Sequence, residues 1–190
     1  KGFKKEYKVT EDSVPVPISD NHVGTYRRVI EVPANWDGKQ VVAHFGSVTS
    51  NIYLFVNGHF AGYAEDSKVA AEFDITKFVK PGKNLVAFQT FRWCDGSWDE
   101  DQDFWRLSGV ARNCYLFAKN PAIQVSNVKI TPDLLNGYQD GELLINVNVK
   151  GNPIIDFQLL NANNQVVGKS SGSFHNMSTG SARFTVRNVK

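Results

Sequence analysis

Cysteine and methionine are scarce in this 190-residue sequence, and neither sign of charge prevails. Two cysteines, Cys94 and Cys114, are too few for the disulfide framework of a small secreted domain and fit a reducing compartment. They are expected as free thiols, although spacing alone leaves their pairing open. Twenty-one basic and 19 acidic side chains give a formal net charge of +2, so there is no electrostatic footprint for nucleic acid or an anionic membrane. No apolar run approaches the ~20 residues that span a bilayer. The opening "KGFKKEYKVTEDSVPVPISD" has neither an initiator Met nor an apolar signal core, and this abrupt start reads as a piece of a longer chain. The compartment stays open, with a cytoplasmic location favoured over a periplasmic one. His22, His44, His59 and His175 are scattered, with no zinc spacing to either cysteine. No nucleophile–histidine–acid arrangement, phosphate-cradling glycine loop, dinucleotide fingerprint, internal repeat or low-complexity segment is found.

Strands are abundant instead. Hydrophobic residues make up 42% of the chain, enough for a real core. Pro15 and Pro17 exclude a central strand from the lead-in over 1–20. Strands are expected over 25–32 and 41–48, then in "NIYLFVNGHFAGYAED", where Asn57-Gly58 between alternating runs signals a type I′ hairpin. A short helical turn started by Asp74 or Thr76, a turn at 80–83, a long strand over 85–92 and another over 114–118 follow. Near Asn120-Pro121 the character changes. "LLINVNVK" alternates apolar and Asn-rich positions, and only four or five strands fit in the remaining 70 residues, where an immunoglobulin-like domain has about seven. The expected fold is all-β: a β-sandwich or jelly roll over 1–119, then an incomplete immunoglobulin-like β-sandwich over 120–190 whose open edge invites association.

The chemistry concentrates in 92–112, "RWCDGSWDEDQDFWRLSGVAR". Asp95, Asp99, Glu100, Asp101 and Asp103 lie within nine residues, interleaved with Trp93, Trp98 and Trp105 and flanked by Arg92, Arg106 and Arg112. A solvated acidic loop gains nothing from three indoles, and a buried strand does not tolerate five unpaired carboxylates. A polar concavity with stacking faces and acceptor groups accounts for both, and sugars match it. Asp99-x-Asp101-x-Asp103 begins like a calcium loop, but Phe104 and Val110 stand where Gly and Glu are required, so an EF-hand is excluded. Ion pairs with the arginines are the plain expectation for most of these acids, with turn chemistry at Asp95-Gly96-Ser97. A catalytic carboxylate pair is not expected on one short loop. Asn176-Met177-Ser178 fits a glycosylation sequon, a triplet common by chance.

The segment "DGSWDEDQDFWRLSGVARNCYLF" resembles the N-terminal sugar-binding domain of β-galactosidases in glycoside hydrolase family two. The likeness extends back through "EFDIT" and "FVNGHFAGYAEDS" to "NHVGTYRR", covering about 21–119, and the following segment fits that family's immunoglobulin-like second domain. The core "EDQDFWRLSG" favours a galactosidase over relatives acting on glucuronides or mannosides. The resemblance implies a longer enzyme that hydrolyses terminal β-D-galactosides with retention, its two catalytic glutamates lying on a (β/α)8 barrel outside this chain. No residue here is then catalytic. Asp103 matches a family aspartate that contacts substrate hydroxyls and helps bind a monovalent cation shared with the barrel, and Asn21 matches a family asparagine near the galactosyl hydroxyls. Sodium and magnesium are implied for the longer enzyme, neither fully ligated by these residues. Partners implied are the β-galactoside, the barrel of the same chain and further copies in a homo-oligomer. Phe104, Trp105 and Arg106 are expected to lock the loop so that Asp103 keeps its aim.

The rival reading is a free-standing carbohydrate-binding module or cell-surface interaction protein that uses Trp93, Trp98 and Trp105 as an exposed stacking platform. A pure protein-interaction module is the third.

Overall fold

Asn57 and Gly58 adopt φ of 50° and 83°. Two successive positive φ values are what a type I′ turn needs to match the twist of its strands. The turn has a second role. Asn57 Nδ2 donates to the Phe78 carbonyl at 2.8 Å and to Asn84 Oδ1 at 2.8 Å, while its Oδ1 accepts from the Leu85 amide. Asn84, only 2% exposed, also bonds the backbone at Lys80 and Gly82. The hairpin tip is thereby tied to the 80–83 turn.

The computed structural model describes residues 16–101, 103, 105, 107–175 and 179–187. The chain divides into two compact units, Lys1–Lys119 and Asn120–Lys190. In the first, the strands are β1 (Val23–Val32), β2 (Gln40–Phe45), β3 (Val48–Thr49), β4 (Asn51–Val56), β5 (His59–Glu65), β6 (Ala71–Asp74), β7 (Gly82–Phe91), β8 (Gly109–Val110) and β9 (Cys114–Lys119). They form an antiparallel sheet in the order β1-β7-β4-β5, a second in the order β6-β2-β9, and the short pair β3-β8. The first two sheets enclose one core. Val41, Ala43 and Phe45 alternate along β2, and Ile52, Leu54 and Val56 along β4, with Phe73 and Ile75 closing the layer. Leu54 and Val56 are fully buried, a gain of about 1.5–3 kcal/mol each. Gly62 lies beneath Phe73, where a Cβ would come within 2.5 Å of the ring, so β5 needs glycine there.

The second unit contains β10 (Gln124–Leu135), β11 (Asp140–Lys150), β12 (Ile154–Leu160), β13 (Val166–Ser173) and β14 (Thr179–Val186), paired as β10-β11-β14 and β12-β13. Val147 and Val149 of β11 meet Phe157, Ala182 and Phe184, while Asn148 faces solvent, as the alternation of "LLINVNVK" predicts. No α-helix occurs among the described residues. The fold is all-β, a jelly-roll sandwich followed by an immunoglobulin-like one with five strands among the described residues.

The expected strand over 41–48 is broken. Gly46 donates to the Asn113 carbonyl, and a side chain there would meet Arg112 Cβ at 2.9 Å, so the backbones approach too closely for β2 to run on. The helical turn is a 3-10 turn, Thr76–Phe78, opened by the Asp74 carboxylate accepting from the Thr76 amide and hydroxyl. The sequon at 176–178 and the residues before 16 lie outside the described residues.

Candidate functional site

The acidic loop leaves the end of β7 and is secured from both sides. At its root the Arg92 amide donates to the His22 carbonyl at 2.8 Å. One step on, the Asn21 carboxamide continues the ladder: the Trp93 amide donates to Asn21 Oδ1 at 2.9 Å and Asn21 Nδ2 donates to the Trp93 carbonyl at 3.0 Å. A 3-10 turn, Asp95–Ser97, follows, with the Cys94 amide donating to Ser97 Oγ at 3.0 Å. Glu65 at the end of β5 accepts from the Gly96 amide at 3.2 Å and from the Tyr63 hydroxyl. Burial first, then the bond to Glu65, push the Tyr63 phenol well above its usual range. Glu100 closes the set. Its two oxygens accept from the Ser67 amide at 2.7 Å and the Ser67 hydroxyl at 2.5 Å, and Ser67 is itself 1% exposed.

This geometry sorts the acids. Glu100 is a half-buried anchor, while Asp95, Asp99, Asp101 and Asp103 are exposed. Asp103 occupies a bend three residues past the last anchor, and its carboxylate has no hydrogen bond or ion pair among the described residues. An ionised carboxylate there is acceptor-only and can meet a hydroxyl donor or a hard cation. Asn21 is brought to the root of the loop, against the Trp93 backbone. Both ends of its carboxamide are engaged with Trp93, which leaves one amide hydrogen for a further acceptor.

The tryptophans do not form one platform. Trp93 is 7% exposed, with Arg92 over its ring at 4.9 Å, whereas Trp105 is 85% exposed. Trp105 therefore locks nothing among the described residues, contrary to the expected bracing role; its companions Phe104 and Arg106 lie outside them. Of the flanking arginines, Arg106 lies outside the described residues, and the side-chain bonds of the other two go to neutral acceptors. Arg92 donates to Ser108 Oγ at 3.4 Å, and Arg112 donates to the carbonyls of Lys68 at 2.7 Å and Gly46 at 3.4 Å. A guanidinium placed on carbonyls gains directional bonds without requiring an acid to leave water.

Beneath the loop lies a polar cavity of about 10 Å³ bordered by Thr49, Ser50, Ser67, Ser97 and Glu100. That is near the smallest volume that admits one water. Beside it, ligand atoms of Glu65, Cys94 and Asp95 lie within 4.8 Å of one another. Two carboxylates suit a hard divalent cation that keeps most of its waters. Cys94 does not, because a thiol is soft and burial pushes this one up toward the protonated form. The two cysteines are free, Cys94 buried and Cys114 exposed.

Comparison with known proteins adds the decisive observation: the profile of "Glycosyl hydrolases family 2, sugar binding domain" matches residues 4–121. The chain belongs to glycoside hydrolase family 2. It is 41% identical over 133 residues to a beta-galactosidase of Priestia megaterium, covering 70% of this chain and 13% of that protein. It is 42% identical over 128 residues to one of Aeromonas hydrophila, covering 67% and 12%. The chain thus spans about one eighth of the length of these curated relatives, which are glycoside hydrolases. Among solved structures, a beta-glucuronidase of Bifidobacterium dentium complexed with coumarin-3-O-glucuronide superposes with a TM-score of 0.74 at 15% identity, over 87% of this chain and 34% of that one. That likeness concerns the fold alone.

Within this family 2 domain, Glu65 and Ser67 are the loop-anchoring residues that sequence reasoning passed over. They were visible in "GYAEDS", but only the fold shows that the end of β5 faces a loop some 30 residues away.

Proposed function

We propose that this chain is the non-catalytic N-terminal part of a retaining β-galactosidase, shaping the substrate pocket and supporting a (β/α)8 barrel that carries the two catalytic glutamates. Asp103 reaches into that pocket, accepts hydrogen bonds from galactosyl hydroxyls and holds sodium jointly with the barrel. One observation supports this above the others. The loop is secured at Trp93, Gly96 and Glu100, yet the acid just beyond is exposed and unengaged among the described residues. A side chain on a secured loop, with no partner among the described residues, is arranged for a ligand from outside. Asn21 contributes chiefly by holding the loop root, with its remaining amide hydrogen directed to a galactosyl hydroxyl. Magnesium, where the enzyme uses it, fits the Glu65 and Asp95 carboxylates, with waters completing its shell. Alone, the 190 residues have no hydrolytic activity. Assembly of the longer enzyme as a homo-oligomer belongs to the same reading.

The test uses the full-length protein and a panel of nitrophenyl glycosides, comparing wild type with Asp103→Ala, with and without sodium. Selective cleavage of the β-galactoside is expected. The substitution should lower kcat/KM by on the order of 100-fold, the usual scale for a group that meets the transition state, and abolish the sodium response. Preference for another glycoside would overturn the specificity and keep the fold. No cleavage of any glycoside would transfer support to the binding-module reading, which the exposed Trp105 favours.

A further inference from the structure

An antiparallel sheet packed on a core through one face ordinarily turns polar residues to water on the other. The sheet β1-β7-β4-β5 departs from this. Ile52, Leu54 and Val56 of β4 enter the core, so Tyr53 and Phe55 must point away from it. Register places Tyr63 beside Tyr53 and Phe60 beside Phe55 on β5, with β7 on the other flank. Ring centroids lie 4.5 Å apart for Tyr53–Tyr63, 5.7 Å for Tyr53–Phe91 and 5.6 Å for Phe55–Phe60. The patch is open: Phe60 is 54% exposed, Tyr63 41%, Leu85 39% and Val29 of β1 59%. Polar residues border it along β1 and β7, where the register sets Thr25 opposite Gln89, Arg27 opposite Ala87 and Glu31 opposite Lys83 on the same face. Glu65, at one end, is already engaged with Tyr63 and Gly96.

We propose that this outer sheet face is the surface on which the remainder of the longer polypeptide docks, through an apolar patch of its own that supplies an acceptor for Arg27. The proposal rests on the functional reading above, in which Asp103 completes a pocket built by that remainder. Two observations select this occupant. The chain spans 13% and 12% of the length of its β-galactosidase relatives, so in a protein of that kind most of the polypeptide is available to cover it. The patch also runs directly into the acidic loop. Phe91 is the last residue of β7, and Tyr63 reaches the loop through Glu65 and Gly96. A body that docks on the root of this loop thus meets the aromatic face beside it. A contiguous exposed apolar patch marks an interaction surface, and burying rings of this size is a strong source of adhesion. A sugar is the poorer fit. The rings of Tyr53 and Phe91 cross at 68° and those of Phe55 and Phe60 at 61°, so they interlock edge to face rather than lying parallel as a stacking platform.

The experiment places a thiol on the face in the full-length protein, as Phe60→Cys in a Cys114→Ser background. Maleimide modification is followed peptide by peptide by mass spectrometry. If the face is covered, modification at position 60 should be slowed by on the order of 100-fold relative to the urea-unfolded protein, because it then needs local opening. The slowing should persist when any oligomer is dissociated to monomers. Modification at nearly the unfolded rate would show the face open and overturn the proposal. Protection lost on dissociation would assign the face to a second copy and overturn it equally. Should Phe60→Cys not fold, Leu85→Cys gives the same readout from the neighbouring strand. No glycoside enters the measurement, so failure of the galactosidase reading and failure of this one are separately visible.

Discussion

Asn21 and Trp93, 72 positions apart, are joined by two hydrogen bonds in which a side chain replaces a strand: the carboxamide of Asn21 accepts from the Trp93 amide and donates to its carbonyl. The pairing extends the β1-β7 ladder by one step beyond its last backbone pair and determines where the acidic loop departs. A residue that sequence resemblance assigns to substrate contact therefore has a structural task here first.

Replacing it should show this. Asn21→Ala removes the two bonds that its carboxamide makes to the Trp93 amide and carbonyl in a partly buried place, a loss of about 1–3 kcal/mol. The urea midpoint should fall with an unchanged m-value. An unchanged midpoint combined with weaker substrate binding in the full-length enzyme would restore substrate contact as its main role.

The Glu100 anchor predicts a graded pair. Glu100→Gln keeps one acceptor for two donors and turns an amide donor toward Ser67, whereas Ser67→Ala removes only the hydroxyl bond. Hydrogen bonds to a charged group contribute about 1.5–3 kcal/mol, so the glutamine variant should lose more stability than the alanine variant. In the full-length enzyme it should also weaken the sodium response assigned to Asp103. Equal thermal midpoints for both variants and wild type would sink the anchor.

Asp74 supplies an acid-sensitive support. Its partial burial acts to raise the carboxyl, but hydrogen bonds from Thr76 and Gln40, with Lys77 nearby, outweigh this and hold it below its ordinary value of 3.8. A folded pKa below the unfolded one gives stability that is complete above about pH 4 and is lost as pH falls through the folded pKa. Asp74→Asn should remove that contribution at neutral pH and flatten the acid limb of a stability–pH curve. Because the group is exposed, the effect should shrink with added salt.

The thiols should separate by accessibility. Burial pushes both Cys94 and Cys114 up, so each is mainly protonated at neutral pH and reacts slowly. In the 190-residue chain under native conditions, iodoacetamide should modify Cys114 alone, with Cys94 following only on unfolding. Loss of both thiols together without a reductant would indicate a disulfide, which the fold does not form.

Much of the architecture was readable because its causes are local. The Asn57-Gly58 turn follows from two residues that tolerate positive φ, and the strands beside it from side chains alternating with period two. The one strand drawn too long, over 41–48, failed for a non-local reason: Gly46 is pressed against Arg112 and Asn113, nearly 70 residues later. The acidic loop shows the same division. Its wealth of carboxylates and indoles marked it as a site, but the indoles parted company in the fold, Trp93 going inward and Trp105 outward.

What the sequence determined by itself is the all-β character, the hairpin, the membership suggested by "EDQDFWRLSG" and the place where chemistry gathers. All of these depend on residue type and near-neighbour spacing. What only the tertiary structure decided is the partner of each group: Glu100 with Ser67, Glu65 with Gly96, Asn21 with Trp93, and Asp103 with none of the described residues. The reason is physical. Alternation tells which side chains share a face of a strand, but hydrogen bonds are made at about 3 Å, and only the closed sandwich brings residues from distant strands within that reach.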